Sequence, residues 1–274
     1  MALKAAALTL KRIVSSVEVE RKFNPGPKFA SLANHIQSTP RTQPHQPFSH
    51  GEGVPFAALY HPGQLIRDTY YDTEDDHLSK LGLWVRQRSV NDLLPLGPTP
   101  PIAGSEDESQ WNAKLRLGGH YNNSQFVEID GKSKVSDEVL RTTGSKMKLE
   151  DLQVVSDLQT RREEWEVTQL ADGTAPSAKM TIVLDVVTEA EAGKNQIDES
   201  TFTHTIGEVE LFEEVVTEGK ENAEHEAYRK EIAAQRMKEL EEFMAAHPDL
   251  FSTSPKPVGK LSAYEAWKTV RSQS

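Results

Sequence analysis

The sequence lacks cysteine, long apolar runs and an excess of basic residues, and each absence excludes a class of site or partner. It contains no cysteine in 274 residues, which excludes disulfide bonds, thiolate metal sites and a cysteine nucleophile. No apolar run approaches the roughly 18 residues that span a bilayer, so we expect no membrane association. Acidic side chains outnumber basic ones by 42 to 31, and the formal charge of −11 argues against nucleic-acid binding over a broad basic surface. Hydroxyl, carboxylate and amine chemistry remain.

Apolar residues are also scarce. They make up 36% of the chain, and adding the 16 glycines still leaves the total below the usual value of about 45–50%. Polar loops and a polar interior would each account for this deficit. Residues 37–53 and 91–110 are rich in proline and polar residues and are predicted to be mobile loops.

The first sixteen residues carry Lys4, Lys11 and Arg12 but no acid. This composition is weakly similar to a mitochondrial presequence, but such signals are usually longer. We therefore interpret residues 1–16 as a short N-terminal extension and expect a cytoplasmic protein, with a mitochondrial location as the alternative.

Residues 17–23 read V-E-V-E-R-K-F and alternate charged with apolar positions. In an extended strand Glu18, Glu20 and Lys22 project from one face, and the apolar residues of the stretch share the other. A half-exposed strand with solvated charges would give the same pattern in isolation. The interpretation therefore depends on whether the pattern recurs.

The pattern recurs in later strand-like segments. Strands are predicted at residues 17–23, 65–73, 83–88, 111–117, 126–130, 160–167, 179–187 and 202–216, and helices at residues 29–36, 136–142, 149–158, 218–247 and 261–270. The charged positions that would share one face are Glu18, Glu20, Lys22, Arg86, Arg88, Lys114, Arg116, Arg162, Asp185, Glu208 and Glu210.

The opposite faces of these strands are apolar and could pack against the helices. We therefore predict an α+β, mainly β fold: a closed eight-stranded antiparallel β-barrel with flanking helices and a C-terminal helical segment, forming one domain over residues 17–274. The charges would then line the interior, where they could coexist only around water, metal and a polyvalent ligand. A lumen for apolar ligands would require every strand to face the other way.

A face with both acids and bases has a specific use. Carboxylates are hard oxygen ligands that suit Mg²⁺ or Mn²⁺, and arginine and lysine suit phosphate oxygens. Metal together with cations is the combination that phosphoryl hydrolysis requires.

Seven motifs, in order, resemble those of the CYTH family of triphosphate tunnel metalloenzymes, and most of all its thiamine triphosphatase branch. They are V-E-V-E-R-K-F, R-D-T-Y-Y-D-T, L-W-V-R-Q-R, the W-x-x-K of residues 111–114, the R-x-x-W of residues 162–165, the Leu184-Asp185 pair and G-E-V-E. The resemblance implies an eight-stranded tunnel. It also implies hydrolysis of the terminal phosphate of thiamine triphosphate with Mg²⁺ as cofactor and Mn²⁺ as the alternative.

The resemblance also assigns roles by position. Metal would be held by Glu18, Glu20, Asp185, Glu208 and Glu210. The triphosphate would be bound by Lys22, Arg86, Arg88, Lys114, Arg162 and Lys260. Trp84 would pack on the thiamine ring, and catalysis would involve Lys22, Glu18 and Glu20, with Lys22 acting as a base only if its pKa were lowered.

The sequence departs from the branch at Val187, where the branch has a second aspartate, and in two longer loops. Inorganic tripolyphosphate is therefore a second candidate substrate. A non-catalytic polyphosphate-binding module and adenylyl cyclase chemistry are further alternatives. We expect a monomer that acts on a small-molecule triphosphate.

Overall fold

A computed structural model describes residues 12–38, 56–93, 110–120, 123–190, 201–218 and 222–273. Most of the two predicted loops, at residues 37–53 and 91–110, lies outside these residues, as do residues 1–11. No helix in the described ranges is long and apolar enough to cross a membrane.

Eight long strands form the closed antiparallel barrel that the sequence predicts. They are β1 (Arg12–Pro25), β2 (Ala57–Asp72), β3 (Leu83–Asp92), β4 (Gln110–His120), β5 (Asn123–Asp130), β6 (Gln153–Gln169), β7 (Lys179–Glu189) and β8 (Thr203–Glu218). Their order around the barrel is β5-β4-β3-β2-β6-β7-β8-β1, and pairing of β5 with β1 closes it. A short β9 (Phe251–Ser252) pairs with the end of β1. Closure leaves the long strands without free edges.

Five helices accompany the barrel in the part of the chain that the structure describes. They are α1 (Pro27–Ser38), α2 (His77–Lys80), α3 (Lys132–Thr142), α4 (Asn222–Ala246) and α5 (Lys260–Ser272), with a 3₁₀ turn at Leu149–Asp151. All predicted helices except the one at residues 149–158 are confirmed. The short α2 and β9 were not predicted.

The strands bury their apolar faces outside the tunnel, under the helices. Val17 and Val19 of β1 lie in one buried cluster with Leu240 of α4. Phe23 belongs to the same cluster, and a Cβ at position 207 would lie only 2.2 Å from its ring, so only glycine fits opposite Phe23. Burying each such large side chain stabilises the fold by about 1.5–3 kcal/mol. The burial confirms that the charged faces point inward.

Helix α3 covers a further part of the outer surface, whereas α5 packs on residues that include Tyr70, which lines the cavity. Val135 and Val139 of α3 pack with Leu83 and Val85 of β3. Helix α5 forms a third cluster that includes Tyr264 and Val187. Val187 therefore lies among apolar side chains beneath α5, which accounts for a valine at this position.

Several predicted boundaries were wrong, and β2 begins at Ala57, well before the predicted start at position 65. The predicted helix at residues 149–158 ends after the 3₁₀ turn, and β6 begins at Gln153. The β-branched Val154 and Val155 and the long pairing with β2 favour a strand there. The first strand begins at Arg12, five residues before position 17, because residues 12–16 continue the ladder with β8.

Candidate active site

The barrel encloses a cavity of about 440 Å³ with charged walls. Every predicted site residue except Asp185 lines it: Glu18, Glu20, Lys22, Trp84, Arg86, Arg88, Lys114, Arg162, Glu208, Glu210 and Lys260. Asp185 does not line the cavity itself, and its two oxygens accept hydrogen bonds from Arg162 Nε and Nη2, each at 2.7 Å. The two-residue spacing of charge on the strands places these side chains together.

Three carboxylates converge on one side of the cavity. Oxygens of Glu18, Glu20 and Glu210 all lie within 4.8 Å of one another. Glu20 and Glu210 are paired in the β1–β8 register. The Lys114 ammonium lies 2.6 Å from Glu18 and 3.3 Å from Glu20, Lys22 also pairs with Glu20, and Arg162 lies 3.5 Å from Glu210. We call Glu18, Glu20 and Glu210 the acidic cluster.

The carboxylates of the acidic cluster lie close enough to affect one another, although Lys22, Lys114 and Arg162 pair with them. Burial, together with the charges of Glu18 and Glu208, raises the pKa of Glu210 to about 8 in spite of the opposing effect of Arg162. Three hard oxygen donors around one point are the ligands that Mg²⁺ and Mn²⁺ prefer. The residues present therefore fit a divalent cation.

Next to the acidic cluster, Lys22 lies between two acids. It forms ion pairs with Glu20 and with Glu208, the latter at 3.0 Å. Burial lowers the pKa of Lys22, but the two carboxylates outweigh it and the net shift is upward. For Glu208, burial raises the pKa and Lys22 lowers it, to about 2 overall. Lys22 therefore stays protonated, which argues against its conditional role as a base and favours phosphate binding.

On the other side of the cavity, one fully buried carboxylate serves three bases. Asp68 accepts two hydrogen bonds from Arg88, at 2.7 and 2.8 Å, and one from Lys260 at 2.9 Å. Arg86 lies 3.7 Å away. Burial raises the pKa of Asp68. The three nearby cations lower it by more than this, so the pKa of Asp68 lies well below its usual value. We call Asp68, Arg86, Arg88 and Lys260 the basic cluster.

Asp68 was not predicted as a site residue, although it lies in the R-D-T-Y-Y-D-T motif. The available signal was strand alternation: Asp68 and Tyr70 share a face, and Tyr70 lines the cavity. Asp68 also pairs in register with Arg88.

Two acids that are not among the predicted site residues also line the cavity. Glu128 lies 4.0 Å from Lys114 and 3.9 Å from Arg86, and Glu164 pairs with Lys179 at 3.3 Å. Of the two adjacent arginines on β6, Arg162 lines the cavity, whereas Arg161 has 65% of its side chain exposed.

One wall of the cavity combines cations with aromatic rings. Arg116 Cζ lies 4.7 Å from the centroid of the Trp84 ring, and Lys114 Nζ lies 5.2 Å from that of Phe126. Phe126 meets Trp84 edge to face, with centroids 5.6 Å apart.

Comparison with known proteins agrees with this geometry. The model of the CYTH domain family matches residues 59–242. The chain belongs to the CYTH domain family. The matched range includes β2 to β8 and most of α4, and β1 completes the CYTH barrel between β5 and β8. No curated protein matches the chain.

Solved structures also resemble the chain. One is a Hippeastrum protein classed as an adenylyl cyclase and described as having a dominant triphosphatase activity, with 12% identity, a TM-score of 0.45 and coverage of 92% of this chain and 95% of that one. A Pyrococcus horikoshii protein has 12% identity, a TM-score of 0.42 and coverage of 92% and 98%. A Bacillus halodurans protein classed as an adenylate cyclase has 16% identity, a TM-score of 0.40 and coverage of 90% and 95%.

Proposed function

We propose that this CYTH protein is a metal-dependent phosphohydrolase that removes the terminal phosphate of a triphosphate. The observation that carries the proposal is the meeting of an acidic cluster and a set of cations in one cavity inside the barrel. A pure anion-binding protein gains nothing from converging carboxylates, whereas phosphoryl transfer uses both kinds of group.

The chain's own residues would bind and orient the substrate. Lys22, Lys114 and Arg162 lie next to the acidic cluster and would hold the oxygens of the phosphate that leaves. The basic cluster would hold the rest of the chain of phosphates, with Arg86, Arg88 and Lys260 as donors. A bound Mg²⁺ would polarise the terminal phosphoryl group and orient water for in-line attack.

The proposed metal ligands are the five carboxylates predicted from the sequence. Glu18, Glu20 and Glu210 have the most direct support, because their oxygens converge. Glu208 and Asp185 are engaged by Lys22 and Arg162. Their role would be to hold these cations in place, unless substrate draws the cations away.

Two substrates are proposed for the first test. Thiamine triphosphate is supported by the sequence motifs and by Trp84, which lines the cavity. Inorganic tripolyphosphate is supported by the charged lining, since it needs no ring platform.

The test is phosphate release by the purified protein from thiamine triphosphate, tripolyphosphate and ATP, with Mg²⁺ and with chelator. Chelator-sensitive release from at least one of the three is expected. Glu210→Gln should lose it, and Glu214→Gln, a change at an exposed position of the same strand, should keep it. Binding without release from any substrate would instead indicate a phosphate-binding module.

A further inference from the structure

Trp84 lines the cavity, but one face of its ring is already covered. The guanidinium carbon of Arg116 lies 4.7 Å from the ring centroid. Phe126 closes the edge of the same ring at 5.6 Å, with the two planes at 89°. Arg116 itself lines the cavity. The most prominent aromatic platform in the described part of the tunnel therefore carries a cation from the chain itself.

The backbone holds Arg116 in this position. Its N–H donates to the carbonyl of Gly82 at 2.9 Å. Gly82 has φ +85°, a conformation that glycine adopts readily, and a Cβ there would lie 3.3 Å from Arg116 Cβ. The β4–β5 register shifts directly after Arg116, and a bulge of this kind re-aims a side chain. Arg116 is also opposite Phe126 in that register.

The covered face matters for the choice of ligand. A ring that bears a positive charge, such as the thiazolium of thiamine, would stack on Trp84 by a cation–π interaction. Arg116 already makes that interaction and would repel a second cation at the same place. Lys114 occupies the neighbouring Phe126 ring in the same way, at 5.2 Å. A phosphate group, by contrast, can accept hydrogen bonds from a guanidinium.

We infer that Arg116 is a specificity-determining residue that disfavours triphosphates with a cationic ring and favours linear inorganic polyphosphate. This inference rests on the proposed function, because it concerns the substrate of the same cavity. It reverses the order of the two candidate substrates that the sequence motifs suggest.

The test compares binding of tripolyphosphate and thiamine triphosphate by calorimetry, with chelator present so that metal-dependent turnover is suppressed. Arg116→Met keeps an unbranched apolar side chain and removes the charge, and Arg116→Lys keeps the charge. The wild type should bind tripolyphosphate more tightly. In Arg116→Met the ratio of the two affinities should move toward thiamine triphosphate by about tenfold, the size of a partly desolvated cation–π interaction.

Two controls make the result specific. Arg161→Met removes an exposed arginine and should leave the ratio unchanged, and Arg116→Lys should shift it much less than Arg116→Met. Melting temperatures show whether each variant folds, and Arg116→Gln replaces Arg116→Met if the latter does not.

An unchanged ratio in the charge-removing variant, tighter wild-type binding of thiamine triphosphate, or no tripolyphosphate binding at all would each overturn the inference. Phosphate release with Mg²⁺ is measured separately. Failure of release with the expected binding ratio would refute the hydrolase and leave the role of Arg116 standing.

Discussion

The two charged clusters of the tunnel balance their charge in opposite ways. In the basic cluster a single carboxylate, Asp68, is fully buried and has three cationic neighbours. In the acidic cluster three carboxylates converge, with Lys114 shared between two of them. The basic cluster is held together by its own carboxylate, whereas the acidic cluster keeps three carboxylates close together although Lys22, Lys114 and Arg162 pair with them.

The difference separates charged groups that stabilise the fold from charged groups that serve the proposed reaction. A buried carboxylate with three cationic partners is part of the folded structure, and removing it leaves buried cations uncompensated. Carboxylates that lie close together instead disfavour one another's charged forms. A bound divalent cation removes this repulsion. We therefore expect changes in the basic cluster to reduce stability first and changes in the acidic cluster to reduce activity first.

The largest expected effect is on stability. Asp68→Asn should lower the free energy of unfolding by about 3–5 kcal/mol, because it leaves Arg88, Lys260 and Arg86 without their shared counter-charge. Urea denaturation at neutral pH measures this loss. A loss below about 1 kcal/mol would show that Asp68 does not hold the cluster together.

The same variant gives a pH test with a defined sign. The pKa of Asp68 is lower in the folded protein than in the unfolded chain, so its contribution is present above the unfolded value of about 4 and is lost as pH falls further. The gap in stability between wild type and Asp68→Asn should therefore narrow below about pH 4. A gap that stays constant with decreasing pH would contradict the ionised state of Asp68.

The second effect should be on activity alone. Glu210→Gln should reduce Mg²⁺-dependent phosphate release by at least about a hundredfold, because a metal contributes several kcal/mol to the reaction. Stability should not fall, because burial raises the pKa of Glu210 in the folded protein and its ionisation therefore disfavours folding at neutral pH. Glu214→Gln is the matched control. Wild-type activity in Glu210→Gln would contradict the claim that the acidic cluster serves the reaction while the basic cluster stabilises the fold.

A smaller effect is expected at Lys260, which joins α5 to the basic cluster. Lys260→Met should weaken triphosphate binding by about tenfold, the value of one charge-assisted hydrogen bond, since Asp68 keeps both arginines. Steady-state kinetics should show the change mainly in KM. An unchanged KM would remove Lys260 from the proposed substrate-binding set.

The smallest effect is expected at Glu128, which lies between the two clusters. Its carboxylate is 3.9–4.0 Å from Arg86 and Lys114, and burial and Glu18 raise its pKa. Glu128→Gln should change stability by no more than about 0.5 kcal/mol. A large loss would show that Glu128 belongs to one of the clusters.

The sequence was most informative where the spacing of charged and apolar residues along one segment determined its structure. Alternation on β1 and β8 placed Glu18, Glu20, Glu208 and Glu210 on the inner wall, and the helical spacing of residues 218–247 anticipated α4. The prediction failed at residues 149–158, where long-range pairing with β2 outweighed a local pattern. One domain over residues 17–274 and a monomeric state stay predictions.

Contacts between distant segments could not be predicted. Asp68 meets Lys260, which is 192 residues away, and the position of α5 over the barrel follows from packing rather than from its own sequence. Arg116 was recognised as an inward charge, but its stacking on Trp84 depends on Gly82 and on a bulge in β4.

The most direct test of the acidic cluster is Mn²⁺ binding, measured by the loss of the free-ion signal in electron paramagnetic resonance. Wild type and Glu214→Gln should bind Mn²⁺ with similar affinity, and the double variant Glu18→Gln, Glu210→Gln should lose this binding while it melts at a similar temperature. Equal Mn²⁺ affinity in all three proteins would contradict the account, because the converging carboxylates would then not form the metal site.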